Sequence, residues 1–314
     1  MKKVELHLHL DGSIRPTTIS ELLNISLEEA INLSTLKTKS KSLKEYLDKF
    51  DIPLKIMQTK ENLERVSYEL TEDLLKDDVI YAEIRFAPNK HLEQGLTLEE
   101  VIKSVLKGLS KVKIKTNLIL CMMRGDSFED NLKIIKLAKK YLNNGVVAID
   151  LAGNEAAYPV MEYKELFDIA KKEGIPFTIH AGEADNAKSV KNAINLGAKR
   201  IGHGVRAIED EETINLIKEK NITLEICPKS NLDTNMYDNL KEHPIKKLYN
   251  MGLNITINTD NRTVSNTTLT KTYKDLIDVF NFTDQDLTNM NINAINCAFI
   301  TLNEKQGLLK QLIK

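Results

Sequence analysis

The chain has 314 residues, 42% of them hydrophobic, and its 44 lysines and arginines are offset by 45 aspartates and glutamates to a formal net charge of −1. That length and apolar content supply one large core, and the balanced charge excludes a nucleic-acid backbone as the main partner, since phosphate binders carry a basic surplus. Three widely spaced cysteines exclude a disulfide framework and fit a reducing cytoplasm, while no apolar run reaches the roughly 18 residues of a membrane span, and Glu5 and two histidines interrupt any leader-like start.

In chain order, strand-like runs are expected at VELHLHL (4–10), VIYAEIRFA (79–87), TNLILCMM (116–123), VVAIDLAG (146–153), PFTIHAG (176–182), RIGHG (200–204), ITLEICP (222–228) and NITINTD (254–260). Helical spacing fills the intervals, as in EDNLKIIKLAKKYLNN and YKELFDIAKKEG, with Gly145 and Gly174 where those helices should stop. Strand alternating with helix means parallel strands and crossover helices. Eight such units predict an α/β fold, a (β/α)8 TIM barrel in a single domain over 1–314. A doubly wound sheet would bring a glycine-rich phosphate loop after its first strand, and none is present. The gap between Gly12 and Asp78 is too long for one crossover. It predicts a helical insertion after the first strand, over about 13–78, placed where a lid would lie.

Catalytic residues of such a barrel sit at the C-terminal strand ends. Those ends carry His7 and His9, Asp150 and Gly153, His180 and Glu183, His203, and Asp260. Four of the six histidines fall there; His91 and His243 do not. Side chains two apart on a strand point the same way, so His7 and His9 could grip one ion. His180 and Asp260 could complete the shell. Three imidazoles and a carboxylate with an open position describe a catalytic zinc site, although iron, manganese or cobalt accept the same donors. Singly, each residue has a structural reading: a chance His-x-His pair, an interior histidine, an aspartate capping the next helix. The fourth strand ends without a lysine to bridge two metals, so one ion is the simpler expectation.

In this order HLHLDG (7–12), IDLAG (149–153), HAGE (180–183), GHG (202–204) and NTD (258–260) resemble the adenosine deaminases, and the set spans nearly the whole chain. The resemblance implies one Zn2+ per subunit held by His7, His9, His180 and Asp260. It implies Glu183 as proton donor to purine N1, His203 as the residue that holds and polarises hydroxide, and Gly153 as backbone donor to N3. Asp11 would meet the ribose, and Tyr46, Leu47 and Phe50 of SLKEYLDKF would cover the nucleoside. Asn261 stands where many members have aspartate; its amide could donate to N7 without needing a proton. Strand-end position and similarity together suggest that Asp150 orients a neighbouring ligand and that Glu225 or Ser230 bonds His203 or Asp260. Arg262 has no assigned role; it could lie on the surface or reach a substrate's 5′ side. The implied activity is hydrolytic deamination of adenosine and 2′-deoxyadenosine in purine salvage. Adenine, aminodeoxyfutalosine and N6-modified adenine nucleosides or nucleotides are alternatives. The implied partner is a small purine nucleoside, not nucleic acid or membrane.

Overall fold

The computed structural model describes residues 1–40, 45–46 and 48–313. Eight parallel strands form two runs of four. They are β1 (Lys3–His9), β2 (Val79–Phe86), β3 (Lys115–Met123) and β4 (Val146–Ala152), then β5 (Thr178–Ala181), β6 (Arg200–His203), β7 (Thr223–Ile226) and β8 (Asn254–Ile257). Two seams join the runs into a (β/α)8 barrel. At one, Ile149 N donates to Pro176 O at 3.1 Å. At the other, His9 N donates to Asp260 O at 2.7 Å and Asp260 N to His7 O at 3.0 Å. Side chains complete that second seam: Asn258 Oδ1 accepts from Leu6 N (2.9 Å) and His7 N (3.1 Å), and Asn291 Oδ1 from Val4 N (2.8 Å). Every amide of a buried strand needs a partner, and here two asparagines supply what a ladder would.

The first four strands lie within a residue of their sequence-based bounds, while the last four are shorter. The chain leaves strand geometry where the candidate site begins. Pro228 cannot donate to a ladder and instead opens a helix, Pro228–Asp233. His203 and Asp260 adopt left-handed φ of 60° and 61°, a conformation that costs energy for residues other than glycine and gathers at functional sites. Gly174 stops the helix Lys164–Lys172 as expected, with φ 69° and its N–H on Lys171 O. After the helix Phe128–Tyr141 it is Asn143, not Gly145, that first turns left-handed.

The segment between β1 and β2 divides in two. Lys60–Lys76 is a long helix capped by Thr59, whose side chain accepts from Asn62 N. Its buried stripe of Leu63, Val66, Leu70 and Leu74 packs into the main core beside the helix Leu98–Leu109, so it serves as the barrel's own crossover helix. The extra cover is therefore the shorter helices before it, Pro16–Leu23, Leu27–Ser34 and Asp51–Ile56. The pattern over 19–33 reads as one helix but breaks at Asn24, which is left-handed, and restarts at Ser26, whose side chain accepts from Glu29 N.

Parallel strands covered on both faces usually read as unbroken apolar runs. This barrel instead has a charged axis. Glu83, Arg85, Asp150, Arg200 and Glu225 are all fully buried. Arg200 bridges Glu83 and Glu225, each at 2.5 Å, and Arg85 bridges Glu225 and Asp150, each at 2.8 Å. Alternating signs let each charge offset its neighbour's desolvation. Arg85→Met is expected to destabilise the fold by about 3–5 kcal/mol, because two carboxylates lose their shared cation. Urea unfolding of the variant measures this; a loss under about 1 kcal/mol would contradict it.

Candidate active site

His7, His9, His180 and Asp260 meet at the C-terminal mouth of the barrel, their candidate ligand atoms all within 4.8 Å of one another. His9 Nε2 is 3.3 Å from His180 Nε2, and Asp260 Oδ1 is 3.3 Å from His7 Nε2 and 3.4 Å from His9 Nε2. A metal bonded at about 2.1 Å to tetrahedral ligands sets their atoms about 3.4 Å apart. The partners behind the rings aim the lone pairs inward. Glu225 Oε2 bonds His7 Nδ1 at 3.0 Å, leaving buried His7 Nε2 without a hydrogen bond. Asp150 Oδ2 lies 2.9 Å from His180 Nδ1, a charge contact in which the ring N–H is not aligned on the oxygen. Carboxylates behind ligating histidines fix the tautomer and raise basicity. The donor set and its spacing fit a divalent metal.

Ser230 Oγ donates to Asp260 Oδ2 at 2.5 Å. Glu225 corrects an expectation: it meets His7 rather than His203 or Asp260. It sits on β7 below the mouth, fully buried, and so reaches the back of the His7 ring. Burial raises the Glu225 carboxyl, but Arg85 and Arg200 outweigh it and hold the group below the usual carboxylate range.

A cavity of about 300 Å³ opens over this cluster, lined by His9, Asp11, Tyr46, Phe50, Gly153, His180, Glu183, His203, Asp260 and Asn261 among others. Leu47 lies outside the described residues. Glu183 Oε2 is 3.4 Å from His203 Nε2, and its Oε1 accepts from Asn231 Nδ2 and Thr234 Oγ1, each at 3.4 Å. Burial, then the charges of Asp260 and Glu155, push the Glu183 carboxyl well above the usual range. Burial also pushes Asp11 up to about 6. His203 is held well below the ordinary histidine range by burial and by His7.

Tyr46 brings the cover into the site. Its hydroxyl accepts from Asn261 Nδ2 at 2.8 Å and lies 3.3 Å from Ser230 Oγ. Asn261 lines the cavity, and its amide carries a second N–H. Gly12, which follows Asp11 at the mouth of the barrel, has a sterically fixed identity. A Cβ there would fall 1.8 Å from Asn261 Oδ1 and 2.8 Å from its Cβ. Gly12→Ala is expected to push Asn261 aside and raise KM for a purine substrate about tenfold, with metal content unchanged; wild-type KM would contradict this. Arg262 neither lies on the surface nor reaches the cavity. Its guanidinium is buried, 3.0 Å from Asp77 Oδ2 and 3.6 Å from Glu5 Oε2. It lines a separate open cleft of about 630 Å³ with Arg15, Asp77 and Lys271.

Sequence reasoning named Asp150 and Glu225 of the charged axis but missed Glu83, Arg85 and Arg200, and it missed Glu155. Glu83 and Arg85, two apart within an apolar strand, signal a buried pair, because an unpaired charge there would be too costly. Glu155 carries no such signal. Its buried carboxylate accepts from the backbone N–H of Gly182 (2.6 Å), Glu183 (3.0 Å), Ala184 (2.8 Å) and Asp185 (3.1 Å), and from Ser189 Oγ (2.5 Å). It thereby fixes the loop that carries Glu183. The remaining histidines are interior. Burial lowers His91 to about 4 and His243 to about 3, so both are neutral.

Residues 2–314 match the family model described as adenosine deaminase. The chain belongs to the adenosine deaminase family. Among relatives of this family, the adenosine deaminase of Clostridium acetobutylicum is 45% identical over 99% of this chain and 97% of its own length. That of Clostridium perfringens is 43% identical over 100% and 98%. An N6-methyl-AMP deaminase from Arabidopsis thaliana superposes with a TM-score of 0.89 at 26% identity, covering 100% of this chain and 96% of that one. An adenine deaminase from Arthrobacter aurescens, 24% identical with a TM-score of 0.88 over 99% and 98%, shares the fold. Among the described residues, no helix of this family member is long and apolar enough to cross a membrane.

Proposed function

We propose that this protein is a cytoplasmic, zinc-dependent enzyme that hydrolyses adenosine and 2′-deoxyadenosine to inosine and 2′-deoxyinosine with release of ammonia. The observation that carries the reading is the convergence of three histidines and an aspartate on one point, with the Glu183–His203 pair facing it across a purine-sized cavity. Zinc is the metal assigned, because three imidazoles and one carboxylate suit it. The compartment is assigned from three thiols that are all unpaired.

His7, His9, His180 and Asp260 would hold the ion, which when bound would supply hydroxide for attack at neutral pH, the other proton of its water being the one that Glu183 holds. Asp11 binds the ribose, the Gly153 N–H meets N3, and Asn261 donates to N7. Tyr46 and Phe50 cover the ring and exclude bulk water. Attack at C6 breaks aromaticity unless N1 gains a proton. Glu183, whose acid form burial favours, gives its proton to N1 as the C–O bond forms. The resulting carboxylate takes the proton of the new hydroxyl and passes it to the amine, the C–N bond breaks to release ammonia, and Glu183 regains its proton from the next water.

The relatives at 43–45% identity support a nucleoside substrate. Lys90 lines the cavity, but its ammonium is paired with Asp126 at 2.7 Å, so a substrate phosphate would have to displace that pair. The test is kcat/KM on one zinc-replete preparation for adenosine, 2′-deoxyadenosine, adenine, AMP, N6-methyl-AMP and aminodeoxyfutalosine. The two adenosines should lead by at least about tenfold. Preference for any other member of the set would replace the substrate.

A further inference from the structure

A chain of hydrogen bonds fixes where His203 keeps its proton, and it starts from a group whose polarity is not in doubt. The backbone N–H of Ile245 can only donate, and it points at Nδ1 of His243 at 3.2 Å. That nitrogen must therefore accept. His243 is buried and neutral, so its single proton is on Nε2, which lies 3.2 Å from Asn231 Oδ1. The Asn231 carbonyl is thereby taken, and its NH2 faces His203 Nδ1 at 3.0 Å. Donor meets acceptor at each step only in this arrangement. Turning the Asn231 amide would set N–H against N–H at His243.

We infer that His243 and Asn231 are positioning residues that hold neutral His203 in the tautomer with its proton on Nε2, so that His203 presents an N–H to the reacting side, where Glu183 Oε2 stands 3.4 Å away. His203 then steadies developing negative charge on the attacking oxygen by donating to it, and does not serve as the base that removes its proton. Proton traffic falls to Glu183 alone. Asn231 suits the task because it is fully buried in the helix Pro228–Asp233, directly after β7, while His243 reaches it from the link between the helical turn Leu240–Glu242 and the helix Ile245–Asn250. The role of His203 rests on the deaminase reading; its tautomer does not.

Long-range proton–nitrogen spectra of the zinc-loaded, histidine-labelled protein read the tautomer without turnover. The expected pattern for His203 is protonated Nε2 and bare Nδ1. A proton on Nδ1, or on both nitrogens at neutral pH, would overturn the inference even if adenosine is deaminated; a deaminase reading that failed would show as absent turnover with the tautomer intact. Asn231→Asp places an acceptor against Nδ1 and should move the proton there. It should also lower kcat about a hundredfold, the order seen when one oriented donor to a developing oxyanion is lost, with KM within about threefold. A variant with its proton still on Nε2, or with wild-type kcat, would count against the relay.

Discussion

Glu183→Gln is expected to lower kcat by about 10²–10⁴-fold while the protein keeps its metal and its fold. Glutamine fills the same space and can keep the contacts to Asn231 and Thr234, but it has no acidic proton for N1. The loss should appear in kcat more than in KM, since proton transfer belongs to the transition state. The pH dependence has a definite sign. Burial, with Asp260 and Glu155 adding to it, raises the Glu183 carboxyl, so the acid form persists to higher pH than in a free glutamate. The proposed mechanism uses that form, so kcat/KM should decline as pH rises through the raised value, and the glutamine variant should lack this limb. Wild-type turnover by Glu183→Gln would remove Glu183 from the mechanism.

His180→Ala is expected to abolish stoichiometric metal binding, and with it activity. Asp150→Asn, which removes the charge behind that ring and also weakens the buried pair with Arg85, should weaken metal binding by the about 10–100-fold typical of such partners and lower stability as well. Metal content after gel filtration and competition against a chelator separate the two. A ligand that binds only the native state raises the melting temperature, so chelation should lower it in wild type and leave His180→Ala unmoved. Full metal retention by His180→Ala would take His180 out of the shell.

How far the sequence reaches can be judged from particular residues. His7, His9, His180 and Asp260 were legible because ligand-type residues at the ends of separate strands converge in a barrel whatever the details of packing. The ends of β5 to β8 were overrun because the same residues that build the site abandon strand geometry, His203 and Asp260 by turning left-handed. Glu225 was placed near the site, but which ring it meets depends on its depth along the barrel axis, and no periodicity reports that. Arg262 was left open because its partners, Asp77 and Glu5, come from distant points in the chain. Glu155 was invisible for a related reason: its partners are backbone amides of a loop some thirty positions away, and a main-chain group has no letter in the sequence. Tyr46 was found by resemblance to a lid helix, whereas its link through Ser230 to Asp260 emerges only from packing.

The most direct measurement of the central claim is a titration of metal-stripped protein with zinc, following ammonia released from adenosine. Activity should rise in proportion to added zinc and level off at one equivalent per chain, with inosine formed in equal amount to ammonia. No ammonia at any ratio, or a plateau only at two equivalents, would contradict a one-metal adenosine deaminase.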